Sequence, residues 1–507
     1  MTQDWDGGYI AEIGYMHDYF HDMSPGHIRL AMLLNGDLAP DTDTPFTYCE
    51  LGSGQGLTAN ILAAANPHGQ FWATDFNPVH AHNAARLAAE GGAPNIRFLD
   101  HDFAAMSGLD LPQFDIIALH GIWSWVNGEV RKSILDFIAR RLKVGGVVYV
   151  SYNTLPGWAA AAPLRELLTR YGHGQTITQR VTQGLAMARR VQALKPLGFT
   201  ENPMMGSKLD SLADKPLPYL AHEYFNAVFE PNYFHEVATE MARAKLGYAA
   251  AAHIRDNIDT LNFNADALAL LADIPEPGLR EGMRDFLSNR QFRRDLYVRG
   301  PLRLPQVAQA EALLRQRLVL IETDPSKFPM KLRFPAGEVA LRPEIYTPIL
   351  ARLAAGPASL GELLALPGLA DLGLRVLQQA VGVLSARRAV MAAQPEQGQQ
   401  ARQASTRRFN AAVLARAQTA DDLRYLASPL TGGGVNVNRL DQLFLLAGLR
   451  GRDPVDFAWE ALRTQGQRVS RAGKSVEGDP ENRIALGEIL GEFTHQRLPL
   501  LRRLGVV

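Results

Sequence analysis

A single cysteine, Cys49, stands among the 507 residues. One thiol can form neither an internal disulfide nor a cysteine-cluster metal site, so a reducing compartment fits and no bridge is expected to staple the fold. Long apolar runs are missing too, and no stretch reaches the roughly 20 residues that a bilayer span needs. The first residues, Met1-Thr2-Gln3-Asp4-Trp5-Asp6, are acidic and lack the apolar core of a secretory signal. A cytoplasmic chain without membrane insertion is the expectation. Net charge is absent overall, with 52 Lys and Arg against 52 Asp and Glu, but it is unevenly placed. Residues 1–160 hold 17 acids against 8 bases, a net of −9, and residues 401–507 hold 16 bases against 11 acids, a net of +5. An acidic first domain would repel nucleic-acid phosphate and attract a cationic substrate, although a solvated acidic surface reads the same way. No nucleic-acid partner is expected. Hydrophobic residues make up 47% and charged ones 21%, an ordinary globular balance, and the length predicts three or four domains.

What is present is a glycine-rich junction, Phe46-Thr47-Tyr48-Cys49-Glu50-Leu51-Gly52-Ser53-Gly54-Gln55-Gly56-Leu57-Thr58. An apolar strand runs into a turn and then into a helix, Thr58 to Ala65, which is where open α/β sheets bind nucleotide-like ligands. Glycines at alternate positions let a ligand approach the backbone where any Cβ would collide. Leu57 stands where the dinucleotide fingerprint needs its third glycine, and Glu50 would repel a pyrophosphate. A cationic ligand suits Glu50 instead. The pattern Glu-x-Gly-x-Gly-x-Gly resembles the first motif of Rossmann-like methyltransferases that use S-adenosylmethionine (SAM), whose methionine end carries an ammonium and a sulfonium. Glu50, Gly52, Ser53, Gly54 and Gly56 are therefore candidate cofactor residues.

Residues 8–45 read as helical, first Tyr9 to Phe20 and then a helix opened by Ser24 and Pro25. Tyr15 and Tyr19 would share one helical face and either line a lid or pack on the sheet. From 46 to 152 strands and helices alternate, the signature of a parallel sheet. The second strand, Gln70 to Asp75, ends in an acid placed to accept hydrogen bonds from ribose hydroxyls, with Phe76 following. Past the third strand, Asn95 to Asp100, Asp102 with Phe103 would supply a hydrogen bond and an apolar wall for adenine, with Asp100 the alternative acid. The fourth strand ends in His120, then Trp123 and Trp125, where a methyl acceptor would arrive. Aromatic walls suit a cationic amine, and plain packing is the competing reading. A turn, Lys143-Val144-Gly145-Gly146, precedes a fifth strand, Val147 to Tyr152, which places Tyr152 and Asn153 beside the same crevice. Tyr152 could orient or deprotonate an amine or serve structure alone.

His222-Glu223 lacks the second histidine of a zinc-protease helix, since position 226 is Asn226, and no metal is expected. Together with the glycine turn, Tyr152-Asn153-Thr154-Leu155-Pro156-Gly157-Trp158, Tyr219 to Asn226, Tyr233-Phe234 and Ala244 to Tyr248 resemble bacterial class I methyltransferases with a methyltransferase regulatory domain. That group includes protein-lysine methyltransferases of outer-membrane proteins. The resemblance implies a SAM cofactor, a Rossmann-like α/β domain (1–160), a helical middle domain (161–330) and further C-terminal domains, with lysine as acceptor.

Residues 331–395 predict helices Arg342 to Ala354, Ser359 to Leu366 and Leu372 to Arg387, then a strand, a pattern resembling a degenerate winged helix. Apolar residues outnumber Arg375, Gln378, Gln379, Arg387 and Arg388 on the third helix, which favours packing or protein contact over DNA reading. A polar linker, Pro395 to Gln400, leads to a helical domain at 407–507, whose Gly432-Gly433-Gly434 follows no expected strand and reads as a loop. The expectation is a SAM-dependent methyltransferase of a protein lysine, with a homodimer left open. The alternatives are a small-molecule or sugar methyltransferase and a SAM-binding regulatory scaffold without turnover.

Overall fold

Apolar runs mark the central strands between residues 47 and 153, whereas the outer strand Ile96–Asp100 is partly exposed. They form a parallel set: β1 (Thr47–Leu51), β2 (Gln70–Asp75), β3 (Ile96–Asp100), β4 (Phe114–Leu119) and β5 (Leu142–Asn153). The computed structural model describes residue 10, residues 12–471 and residues 473–507. Two later strands, β6 (Leu246–Ala251) and β7 (Phe292–Arg299), join antiparallel, giving one seven-stranded sheet in the order β3-β2-β1-β4-β5-β7-β6. A boundary at residue 160 therefore cuts through the sheet. Composition between 161 and 330 is helical on average, which hid two strands flanked by helices. The Lys143-to-Gly146 turn also lies inside β5, because Leu142 pairs with Phe114 and Val147 with Ile116, leaving the glycines looped out.

Three helices set the site. α1 (Pro25–Asn35) starts where Ser24 and Pro25 predict, but the Ser24 hydroxyl is taken by the Tyr19 hydroxyl at 2.7 Å rather than capping the helix. α2 (Leu57–Ala65) follows the glycine turn, and α3 (Pro78–Glu90) opens with Asn77 accepting from the Val79 amide. Every residue of α2 is buried, as a mostly apolar helix must be, and its two polar side chains, Thr58 and Asn60, donate hydrogen bonds to carbonyls. The sheet covers one side and the C-terminal region covers the other. Residues 12–20 are irregular and extended, not helical, so Tyr15 and Tyr19 share no helical face; Tyr9 and Ala11 of that expected helix lie outside the described residues.

Helices Pro343–Ala354, Leu360–Leu364 and Gly373–Ala386 surround a small antiparallel sheet of strands Arg317–Leu320, Ala358–Ser359 and Val390–Ala393. This is a winged-helix-like unit whose middle strand comes from upstream of residue 331. Its third helix packs inward, and Gln378 donates to the Leu34 carbonyl of α1 at 2.9 Å. The expected boundary at 407 falls inside the helix Gln399–Arg416, since the break comes at Gly398, whose φ is +78°, rather than at the end of the polar stretch. The triple glycine belongs to a hairpin, with strand Tyr425–Ser428 before it and Gly433–Asn436 after the turn. Glycine is required there for close approach: a Cβ on Gly433 would lie 2.2 Å from the Tyr19 hydroxyl.

One continuous hydrophobic cluster runs from Tyr19 to Val506 and takes in α1, α2, one face of the sheet, the winged-helix-like unit and the C-terminal helices. Phe409, fully buried on the helix Gln399–Arg416, sits against the turn after α3, so closely that a Cβ on Gly91 would meet it at 2.8 Å. Among the described residues no helix is long and apolar enough to cross a membrane. Phe409→Ala should cost about 3–5 kcal/mol, and because the core is shared, scanning calorimetry should show one lowered transition. Two separated transitions, with the sheet's unchanged, would contradict a shared core.

Candidate cofactor and active site

Above the carboxyl ends of β1, β2 and β4 lies a cavity of about 530 Å³, within the size range of cofactor sites. Its floor is the glycine turn. The Gly52 and Ser53 amides both donate to the Thr74 carbonyl of β2 at 2.9 Å, and the Gly54 amide donates to Asp75 Oδ2 at 2.7 Å. Gly52 and Gly54 have φ of +73° and +52°, the left-handed region that glycine adopts without strain. Gly56 serves packing: a Cβ there would lie 2.4 Å from the Ala84 Cβ of α3.

The second oxygen of Asp75 is held from its own helix. Oδ1 accepts from the Asn77 amide at 3.0 Å and lies 3.2 Å from His80 Nδ1. The Tyr15 amide donates to His80 Nε2, which leaves the ring proton on Nδ1, facing Asp75. His80 thus ties the extended segment 12–20 to the acid of β2. The same segment is pinned at its far end, where the Phe20 amide donates to Thr58 Oγ1 and that hydroxyl donates to the Asp18 carbonyl. Tyr15, Met16, Asp18 and Phe20 consequently roof the cavity. Phe20 also stacks on His120 at 3.7 Å between ring centres.

Glu50 is the electrostatic focus. It is 3% exposed, and its Oε2 has no hydrogen-bond partner among the described residues. Burial pushes its carboxyl up to about 8, and the Asp75 charge adds to the rise. Ser53 Oγ is likewise buried and unpartnered. An orphaned acid and hydroxyl beside a glycine cradle fit a ligand that brings an ammonium group. His120 has the opposite environment: burial holds its imidazole down at about 3, and its Nδ1 lies 2.8 Å from the Tyr149 hydroxyl and 3.1 Å from Ser151 Oγ. It stays neutral and fixed in orientation.

Of the residues singled out from sequence, Glu50, Gly52, Ser53, Gly54, Gly56, Asp75, Phe76, Asp102, Phe103, His120 and Trp125 line this one cavity. Trp123, Tyr152 and Asn153 do not. Trp123 is fully buried in the core beneath the sheet, and Asn153 is spent on the chain crossing, its amide donating to Ser124 Oγ. The Tyr152 hydroxyl donates to Asp295 Oδ2 at 2.7 Å, within a buried network where Arg293 also meets Asp285 and Glu281. Tyr15 was legible as an aromatic of the covering segment. His80 and Phe20 were not, because nothing local marks a helix histidine as the partner of an acid five residues earlier.

Residues 49–148 match the methyltransferase domain family, and residues 217–299 match the predicted methyltransferase regulatory domain family. An uncharacterised protein of Synechocystis sp. is 40% identical over 504 residues, 99% of each chain. The chain belongs to the SAM-dependent methyltransferases that carry this regulatory domain. A Rickettsia prowazekii protein is 27% identical over 58% of this chain and 53% of its own. In fold, the chain is similar to PKMT2 from Rickettsia typhi in complex with AdoHcy, with a TM-score of 0.69, 17% identity, and coverage of 97% of this chain and 100% of that one. The regulatory-domain match contains β6 and β7, so in this methyltransferase that domain supplies part of the central sheet.

SAM binding should draw Glu50 into its carboxylate form, because an ammonium beside it favours the charged state. Its carboxyl stands at about 8 in the ligand-free fold against an ordinary 4.5, so the cost of ionising it on binding falls as pH rises and vanishes above about 8. Binding must then release up to one proton below pH 8, and affinity should rise with pH across that window. Calorimetry in buffers of different ionisation enthalpy measures the release. Glu50→Gln should abolish this component and weaken SAM by about tenfold or more, and equal proton release in both proteins would refute the role.

Proposed function

We propose that this methyltransferase transfers the methyl group of SAM to the amine of a protein lysine. The support is the likeness in architecture, end to end, to PKMT2 of Rickettsia typhi, joined to the motif resemblance to lysine methyltransferases in residues 50–56, 152–158 and 219–226. SAM, when bound, supplies an electrophilic methyl on a sulfonium.

Glu50 and Ser53 would hold the methionine end of the cofactor, Asp75 the ribose, and Asp102 with Phe103 the adenine. Asp102 already caps the short helix Phe103–Met106 by accepting from the Ala105 amide at 2.7 Å, so its carboxylate is oriented in advance. His120, neutral and clamped by Tyr149 and Ser151, acts as a fixed wall, since a group with so low an affinity for protons is a weak general base. The acceptor amine must then lose its proton to solvent before reaction. Trp125, packed on Phe229 at 4.8 Å between ring centres, provides an apolar aromatic face beside the cavity. Such a face favours the neutral amine and orients it, and positioning rather than acid–base chemistry carries the rate.

Incubating the protein with methyl-labelled SAM and cell extract tests the reading. Label should appear on protein, and mass spectrometry should place it on lysine; label confined to small molecules would overturn it. The rate should climb with pH toward the acceptor's own pKa and level off above it. Trp125→Ala should lower turnover about tenfold or more while SAM affinity stays within about threefold. Tyr152→Phe, by contrast, should lower stability by about 1–3 kcal/mol through the lost hydrogen bond to the buried Asp295 carboxylate and leave SAM affinity unchanged.

A further inference from the structure

Behind the Phe20–His120 pair lies a second cavity, of about 450 Å³, that shares those two residues with the cofactor site. It forms where four parts of the chain meet: the segment leading into α1, the ends of β5 and β7, the winged-helix-like unit and the C-terminal helices. Asp22 is the one acid lining it among the described residues, against Arg294, Arg388 and Arg497. Asp22 is 5% exposed and is answered by Arg294 at 3.2 Å, with Arg388 farther away at 3.9 Å. Arg497 donates to the Asn436 carbonyl, a neutral partner.

The histidines add no charge at neutral pH. Burial holds His21 down at about 3 and His253 at about 4, and lowers His27, whose Nε2 lies 2.7 Å from the Ala252 carbonyl. One carboxylate against three guanidiniums leaves an excess of two positive charges around a partly open cavity. Three polar atoms on residues that line it are buried without a hydrogen-bond partner among the described residues: Ser385 Oγ, His21 Nδ1 and Asp22 Oδ1, the last lying 3.4 Å from His27 Nε2. Leu30, Ile321, Met391 and Leu500 make the remaining wall apolar. Excess cation, unpaired hydrogen-bonding groups and an apolar wall together describe a receptor for a small organic anion.

We propose that this cavity is a second ligand site, for a small molecule bearing a carboxylate or phosphate on an apolar body, and that its occupancy alters SAM affinity through the Phe20–His120 stack. Each ring forms a wall of both cavities, so a ligand that shifts one ring changes the boundary of the cofactor site. Coupling of this kind is reciprocal: SAM must change the affinity for the anion by the same factor.

Calorimetric titration of the full chain with hexanoate and with inorganic phosphate tests the site, each with and without saturating SAM. Saturable binding below about 10 mM is expected, and the tighter probe tells whether carboxylate or phosphate is the preferred head group. SAM affinity should change about threefold or more when the anion is bound. Arg388 is 57% exposed at its side chain, so Arg388→Gln should fold normally. Together with Arg497→Gln it should weaken the anion about tenfold while SAM affinity in the absence of anion stays at the wild-type value. That last readout separates this proposal from the cofactor assignment. No saturation with either probe, binding unchanged in both variants, or binding without any effect on SAM would each overturn the proposal.

Discussion

Burial of α2 on both sides is the constraint on which the rest of the molecule depends. The helix that follows the cofactor turn has no side facing solvent: seven of its nine residues are Ala, Leu or Ile, and Thr58 and Asn60 are buried with them. A sheet can cover only one side of it. The other side is closed by the helix Gln399–Arg416 and the hairpin around the triple glycine, and Asn66 at the helix end fixes the contact by donating to the Gly432 carbonyl at 2.9 Å. The C-terminal region is thus part of the folding unit that holds the glycine turn. The free energy released by covering an apolar helix, about 25 cal/mol for each Å² of apolar surface, gives that contact its weight.

The same logic accounts for the roof. An extended segment has no internal hydrogen bonds, so residues 12–20 must be held by others. The His80 and Thr58 side chains take that role from the first turns of the two helices flanking the site. His80 joins roof and floor, since one ring nitrogen meets the Tyr15 amide and the other faces Asp75. Whatever displaces Asp75 is therefore felt in the segment overhead, and the unpartnered Glu50 oxygen shows why the floor is incomplete without a cation.

Much of this was legible in the residues. The glycine turn, Glu50, Asp75 and Asp102 are local signals, each set by the end of a strand, and all face the cavity. The three short helices of the winged-helix-like unit also stand within a few residues of their expected bounds. What failed was tertiary. The aromatic spacing of Tyr9 to Phe20 imitates a helix, yet Tyr15 is directed to the cofactor side and Tyr19 to the hairpin glycines, a division no helical face allows. Tyr152 stands at the end of a strand, where reactive groups gather, but its partner Asp295 comes from β7, a strand that composition alone did not reveal.

That partnership bears on what the regulatory domain can do. Seven residues of β5, from Val147 to Asn153, pair with β7, and the Tyr152–Asp295 hydrogen bond crosses the same seam. Swinging residues 217–299 away from the cofactor domain would break a full ladder and leave the buried Asp295 without the Tyr152 hydroxyl. That ladder opposes a hinge there. Influence on the cofactor site has to pass through side chains at the carboxyl ends of the strands, where His120 stands between Phe20 on one side and Tyr149 on the other, with Phe292 of β7 at 5.8 Å between ring centres. The rigidity of the sheet and the stacking of these rings are thus one design: a fixed frame leaves small ring displacements as the cheapest route from the second cavity to the first.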